Sequence, residues 1–344
     1  MHLVFLLYAL FASVFTIAKT GLNYSQPFFL VGTRMMLAGV LMLGYQFLFH
    51  RKDFVFHKQH LWRLFQLALF NIYLTNALEF WGLKYLTSFK TCFIYSLSPF
   101  VSALFSYIML SEKMTIKKWL GLVVGFAGFL PILFAASSES ELETGYFFFL
   151  SWAEIAVIGA AVFSVYGWIL LKQLVRDGGY SPFMANGLSM ALGGTMALIN
   201  SMFVEDWNPI PVTEFLPFLE CAILLMIISN LIAYNLYGYL LKRYSATFMS
   251  FAGFTTPLFT AFFGWLFLGE TVTLPFYIST IIVFMGLLIF HQEELGVSRN
   301  KSEEEMPPPE GAGVDYVEPP VKKETAKNLK SCQHNSCANS GIRL

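Results

Sequence analysis

Charge is what this sequence has least of. Asp, Glu, Lys and Arg make up 13% of the 344 residues, about half the share found in an ordinary soluble domain. The 22 basic and 22 acidic residues cancel. There is therefore no basic surplus to draw nucleic acid and no acidic surplus of the kind that keeps a whole chain disordered. Cysteine is scarce as well: the four residues, two in apolar runs and two near the C-terminus, cannot form the disulfide framework of a small secreted protein. The apolar runs contain no phosphate-binding glycine loop, no paired catalytic carboxylates and no buried nucleophile–histidine pair. His2, His50, His57, His60 and His291 fall at run edges or in loops, and His334 falls near the C-terminus. Cys332-x-His334-x-x-Cys337 offers three potential ligands but no second pair at zinc spacing, so neither a metal nor a cofactor is expected. Met1-His2-Leu3-Val4-Phe5 has no basic stretch and no small-residue cleavage site, and reads as the start of a retained membrane segment.

What the sequence does have is hydrocarbon. It is 56% apolar and 17% aromatic, with a mean hydropathy of +0.59. A membrane helix needs roughly 20 mostly apolar residues, and ten such runs are present: Leu3 to Ala18, Phe28 to Phe49, Leu61 to Gly82, Leu86 to Leu110, Trp119 to Ala135, Phe147 to Leu171, Phe183 to Val204, Pro217 to Leu241, Ala246 to Leu268 and Leu274 to Phe290. Basic residues mark cytoplasmic loops. Alternate connections hold Arg51, Lys52, Lys58, Arg63, Lys113, Lys117, Lys118, Lys172, Arg176, Lys242 and Arg243, whereas the others hold only Lys19 and Lys84. Both termini are thus expected in the cytoplasm, with the chain in the cell inner membrane. From Gln292 onward the composition turns polar, with Glu303-Glu304-Glu305, Pro307-Pro308-Pro309 and Pro319-Pro320. Residues 292–344 are expected to be a disordered tail.

The chain also repeats itself. At an offset of 158 residues, Ser98 to Thr115 falls on Thr256 to Thr273 with six identities, including Pro99 on Pro257, Glu112 on Glu270 and Thr115 on Thr273. Gly128 falls on Gly286, and Pro27 echoes Pro182 at the start of a later run. Each half then contains five helices, and an odd number forces the second half to enter the membrane upside down. The charges agree: the Glu112 corner is flanked by Lys113, Lys117 and Lys118, whereas the Glu270 corner has no lysine. The expected fold class is an all-α integral membrane protein of ten transmembrane helices in two inverted five-helix repeats. Its parts are 1–135, an acidic outer linker at 136–146, 147–291 and the tail. Inverted repeats are the architecture of secondary transporters.

The motif Pro99 to Leu110, then Glu112, then Gly121, Gly125 and Gly128, with its repeat at Pro257 to Leu268, Glu270 and Gly286, resembles the EamA-type domain of the drug/metabolite transporter superfamily. The likeness covers Leu3 to His291. It implies a carrier working by alternating access, not an enzyme. Its implied cargo is a small amphoteric metabolite, S-adenosylmethionine taken up in exchange for S-adenosylhomocysteine, with protons as a candidate coupling ion.

Ionisable residues inside a span are costly and point to a functional site. Four qualify: Arg34, Glu79, Lys90 and Glu154, all in the expected outer half of the membrane. Asn71, Thr75, Asn76 and Glu79 fall within an arc of roughly 140° of one helix. Lys90, Thr91, Tyr95, Ser98 and Ser102 form a similar face, and Asn230, Tyr234 and Tyr237 stack on the eighth run. Lipid offers such stripes no hydrogen-bond partners, so they face one another or water. For an amphoteric adenosyl compound, Glu79 or Glu154 would attract the amino group or sulfonium, and Arg34 or Lys90 would hold the carboxylate. Tyr73, Trp81, Tyr95, Phe163 and Trp168 are the rings placed to stack on adenine or meet the sulfonium. A plainer reading stands beside each: a structural Glu79–Lys90 ion pair, an Arg34 that snorkels to the headgroups, and interhelical hydrogen bonds from Asn230 and Tyr234. A membrane-embedded enzyme would want its acids or histidines at the cytoplasmic face, and a scaffold would act through the tail.

Overall fold

The computed structural model describes residues 2–51, 57–110, 115–135, 139–244, 249 and 252–304. The chain divides into two units, Met1–Val297 and Ser298–Leu344, and the description that follows is of the first. Its helices are α1 (His2–Gly21), α2 (Pro27–Phe49), α3 (61–85), α4 (Ser88–Tyr95), α5 (Ser98–Leu110), α6 (Ile116–Leu133), α7 (Glu139–Glu143), α8 (Trp152–Arg176), α9 (Pro182–Val204), α10 (Phe215–Leu240), α11 (Gly253–Leu268) and α12 (Leu274–Glu304). Among the described residues, α1, α2, α6, α8, α9 and α10 are long and apolar enough to cross a membrane, and α11 and the stretch Leu274–Phe290 are shorter apolar helices. Their outer faces carry Leu37, Leu41, Leu192, Ile199, Phe203 and Ile223 in the open. Water would penalise that surface, whereas lipid is indifferent to it.

The helix starts follow from local chemistry. Pro27 and Pro182 occupy the first turns of α2 and α9, where a missing N–H costs nothing. Ser151 and Glu154 form a reciprocal capping box that starts α8. That box corrects the expected span beginning at Phe147. The stretch before it is a small hairpin, Tyr146–Phe147 against Leu150–Ser151. The expected run Leu86 to Leu110 is likewise two helices, because Pro99 lies in the first turn of α5 and α4 ends at Tyr95. The acidic linker is partly built in: Glu141 of α7 is buried. The last helix continues past the expected boundary at 292 as far as Glu304. Its Glu, Leu and Lys residues propagate a helix well, and Pro307 lies three residues further on. The remainder of the predicted tail, with Cys332, His334 and Cys337, lies outside the described residues, as does Glu112.

Two close crossings hold the bundle. α2 runs antiparallel to α9, with Gly32 on Leu198, Gly194 on Met36 and Gly39 on Ala191; α6 runs antiparallel to α12, with Gly121 on Phe290 and Gly128 on Val283. A Cβ on Gly39 would stand 2.3 Å from the Ala191 backbone nitrogen, so only hydrogen fits. Gly39→Val should destabilise the fold by about 2–3 kcal/mol through overpacking, read as a lower Tm in detergent. Gly44→Val, where nothing lies within 4 Å, should leave Tm unchanged.

Two helices carry a wider turn in mid-course, and a third such segment, Gly264–Leu268, closes α11. Leu67–Leu74 of α3 and Met226–Ala233 of α10 are wound as π-helix, a local insertion that tends to occur at functional sites.

Candidate functional site

A cavity of about 150 Å³ lies between α1, α2, α3, α4, α5, α8, α10 and α11. Among the described residues only two charged ones line it, Arg34 and Glu79. The Arg34 side chain enters from α2 and is 1% exposed. Its Nη2 donates to Asn76 Oδ1 of α3 at 2.9 Å and its Nη1 to Asn230 Oδ1 of α10 at 3.2 Å. The guanidinium carbon sits 4.5 Å from the centre of the Phe80 ring, a cation–π contact. It therefore reaches inward and does not snorkel. Glu79 is buried one helical turn from Asn76 and accepts the Tyr95 hydroxyl at 2.8 Å. Another part of the lining is aromatic: Trp168 packs on Tyr237 with ring centres 4.1 Å apart and on Tyr234 at 5.0 Å, and Phe11 adds edge contacts to both tyrosines.

The remaining sequence candidates separate from this chamber. Lys90 is fully buried elsewhere, with its Nζ 2.7 Å from Glu141 Oε1, 2.9 Å from Glu154 Oε1 and 2.8 Å from the Ala135 carbonyl. The expected single chamber is thus two sites, and the partners of Lys90 are Glu141 and Glu154 in place of Glu79. Tyr73, Trp81 and Phe163 do not line the cavity. Asn230 touches it through Arg34, while Asn76, Tyr95, Tyr234 and Trp168 line it directly. Sequence reasoning missed Tyr8, Phe11 and Phe15. Their spacing of three and four along α1 was the available signal, but in a chain with 37 phenylalanines an aromatic stripe is indistinguishable from a lipid-facing one.

Three charged side chains tie helix ends together near the acidic loops. Lys19 of α1 donates to the Leu83, Lys84 and Leu86 carbonyls at 2.8, 3.1 and 2.7 Å, the natural site for a cation at the end of α3. Glu270 accepts the Ser88 amide at 2.8 Å and its hydroxyl at 2.6 Å at the start of α4. Glu205 accepts the Phe28 and Phe29 amides at 2.6 and 2.9 Å at the start of α2. Its burial raises the carboxyl above the ordinary range, while the Ser201 hydroxyl and the two amides oppose that shift.

A helical membrane protein whose cavity charges, among the described residues, are one cation and one anion beside an aromatic wall has the arrangement of a small-molecule carrier. The chain belongs to the EamA-like transporter family, whose model matches residues 1–134 and 151–291. It is 39% identical over 293 residues to the S-adenosylmethionine/S-adenosylhomocysteine transporter of Chlamydia muridarum, a match spanning 85% of this chain and 91% of that one. The transporter of the same name from Chlamydia trachomatis serovar D is also 39% identical, over 85% of this chain and 89% of the relative. A crystal structure of a protein only 14% identical matches with a TM-score of 0.61, covering 87% of this chain and 96% of the other; it shows the fold alone. The chain is accordingly a multi-pass membrane protein of a transporter family.

Proposed function

We propose that this protein takes up S-adenosylmethionine in exchange for S-adenosylhomocysteine by alternating access, acting as a carrier and not as an enzyme. The observation that carries the reading is the charge pair in the cavity: Arg34 of α2 and Glu79 of α3 both line it, and the other described lining residues are uncharged. An amino acid head group has a carboxylate and an ammonium on a single carbon, and such a pair matches it. Trp168, Tyr234 and Tyr237 form a wall on which adenine can stack or a sulfonium can rest by cation–π contact. The names of the chlamydial relatives support the same cargo.

The architecture behind this reading is two inverted five-helix repeats in the inner membrane with both termini cytoplasmic. Three features support it: the charge asymmetry of the loops, the shared Pro and Glu corners, and the pairing of α2 with α9 and α6 with α12 in antiparallel contact. An in-plane two-fold axis requires equivalent helices to run in opposite directions. S-adenosylmethionine carries one more positive charge than S-adenosylhomocysteine, so each exchange moves charge inward. A proton moving outward with S-adenosylhomocysteine would offset it.

Proteoliposomes preloaded with S-adenosylhomocysteine should take up labelled S-adenosylmethionine several-fold faster than empty ones. Further stimulation by an imposed pH gradient would add the proton. No uptake from folded protein would discard the adenosyl cargo and leave another amino acid, nucleotide-type metabolite or drug as the substrate class.

A further inference from the structure

The two π-helical segments that lie in mid-helix share more than their winding. Aligned at an offset of 159 residues, Leu67–Leu74 with the following Thr75 and Asn76 falls on Met226–Ala233 with Tyr234 and Asn235, so that Asn71 meets Asn230 and Asn76 meets Asn235. Both halves carry the pattern Asn-x4-Asn. The second asparagine does the same work in each. Asn76 Nδ2 donates to the carbonyls of Asn71 at 3.3 Å and Ile72 at 2.9 Å, and Asn235 Nδ2 donates to those of Asn230 at 3.2 Å and Leu231 at 2.9 Å. Each amide seals the carbonyls that the wider turn leaves exposed.

The remaining polar atoms have diverged between the halves. Asn76 Oδ1 is left free by its sealing role and takes Arg34 Nη2. Asn235 Oδ1 takes the Asn186 amide of α9 at 3.1 Å instead. Asn230 does not seal its own turn; its oxygen takes Arg34 Nη1 and its amide rests on the sulfurs of Met35 and Met190. One guanidinium is thereby gripped by an amide oxygen from each half, and Phe80 fixes its plane. A guanidinium has five donors in a rigid fork. With both terminal nitrogens held, Nε is buried and lacks a partner among the described residues. A carbonyl from the protein would have satisfied it, and a buried unmet donor costs free energy.

We propose that Asn76 and Asn230 are positioning residues which set the guanidinium of Arg34 to receive the carboxylate of the substrate, so that the anion site is assembled jointly by the two repeats. The proposal rests on the adenosyl-amino-acid reading above. It assigns carboxylate recognition to a grip that exists only while α3 and α10 keep their present spacing. At position 230 an acid would neutralise Arg34, and an apolar residue would release it.

The test is Asn230→Leu, with Asn230→Ser as a second variant should the first fail to fold, and Asn235→Ala as the comparison that disturbs the same turn without touching Arg34. Uptake is measured for S-adenosylmethionine and for its decarboxylated analogue, on protein verified as monodisperse. The expected result is a KM for S-adenosylmethionine raised about 10-fold in the Asn230 variants, with the analogue unchanged. Asn235→Ala should alter both compounds equally. Equal losses for both compounds in the Asn230 variants would overturn the positioning role while leaving the cargo intact. Absence of S-adenosylmethionine uptake by the unsubstituted protein would overturn the cargo, and the proposal with it.

Discussion

Glu79→Gln should lower kcat/KM for S-adenosylmethionine and for S-adenosylhomocysteine alike, by about 100-fold each. Glutamine keeps the volume and one acceptor oxygen, so the 2.8 Å hydrogen bond from Tyr95 can persist and the substitution removes little except charge. That charge is the only carboxylate lining the cavity among the described residues. A charge-assisted bond to an ammonium contributes about 1.5–3 kcal/mol, and an ammonium left unpaired in a buried site costs more than that bond was worth. Both compounds carry the same ammonium and differ at the sulfur. Equal losses therefore place Glu79 on the amino acid head beside Arg34, and leave the aromatic wall to discriminate sulfonium from thioether. A loss confined to S-adenosylmethionine would move Glu79 to the sulfonium. Unchanged kinetics for both would remove it from the site. Initial rates in proteoliposomes, with the variant shown to elute as folded protein, separate these outcomes.

The positions of the membrane helices were legible because hydropathy integrates over roughly 20 residues, a window too long to be misled by single side chains. The fine divisions were not. The break at Ser96 and Leu97 depends on where Pro99 falls relative to the carbonyls before it, and the start of α8 depends on a capping box between Ser151 and Glu154. Both are decisions made by one or two residues inside a uniformly apolar run. The wider turns were equally hidden, since a single inserted residue shifts the helical face by about 100° without altering hydropathy. The Asn-x4-Asn pattern is their trace in the sequence, and it becomes meaningful only once both turns are seen.

Of the candidate site, the polar stripe of α3 was legible at helical spacing, and Arg34, Asn76, Glu79, Tyr95 and Tyr234 do converge. Depth in the membrane, by contrast, was a poor guide to company. Four ionisable residues at similar depth looked like one chamber, yet Lys90 and Glu154 meet Glu141 instead. Glu141 comes from a linker whose composition reads as solvated. Nothing in its sequence marks one glutamate of Glu139, Glu141 and Glu143 as the buried one.

That buried cluster carries the largest expected effect on stability. Lys90→Met should lower stability by about 3–5 kcal/mol, because removing one partner of a buried ion pair leaves uncompensated charge in an apolar surround. Here two carboxylates lose the same cation, with Lys90, Glu141 and Glu154 at 1, 1 and 0% side-chain exposure. The Ala135 carbonyl at the end of the α6 segment loses its donor as well. Lys90 thus ties α4 to the end of α6, to α7 and to the start of α8, and its loss should release the linker between the two halves of the chain. The expected readings are a sharply lower Tm in detergent and a reduced yield of folded protein. The combined change Lys90→Met, Glu141→Met and Glu154→Gln should recover much of the loss, because an apolar replacement no longer buries unpaired charge, and glutamine at 154 retains an acceptor for the Ser151 amide. What survives of the single variant should transport with an unaltered KM, since none of the three residues lines the cavity. A Lys90→Met protein with unchanged Tm and a raised KM would return Lys90 to the substrate site and overturn the separation of the two clusters.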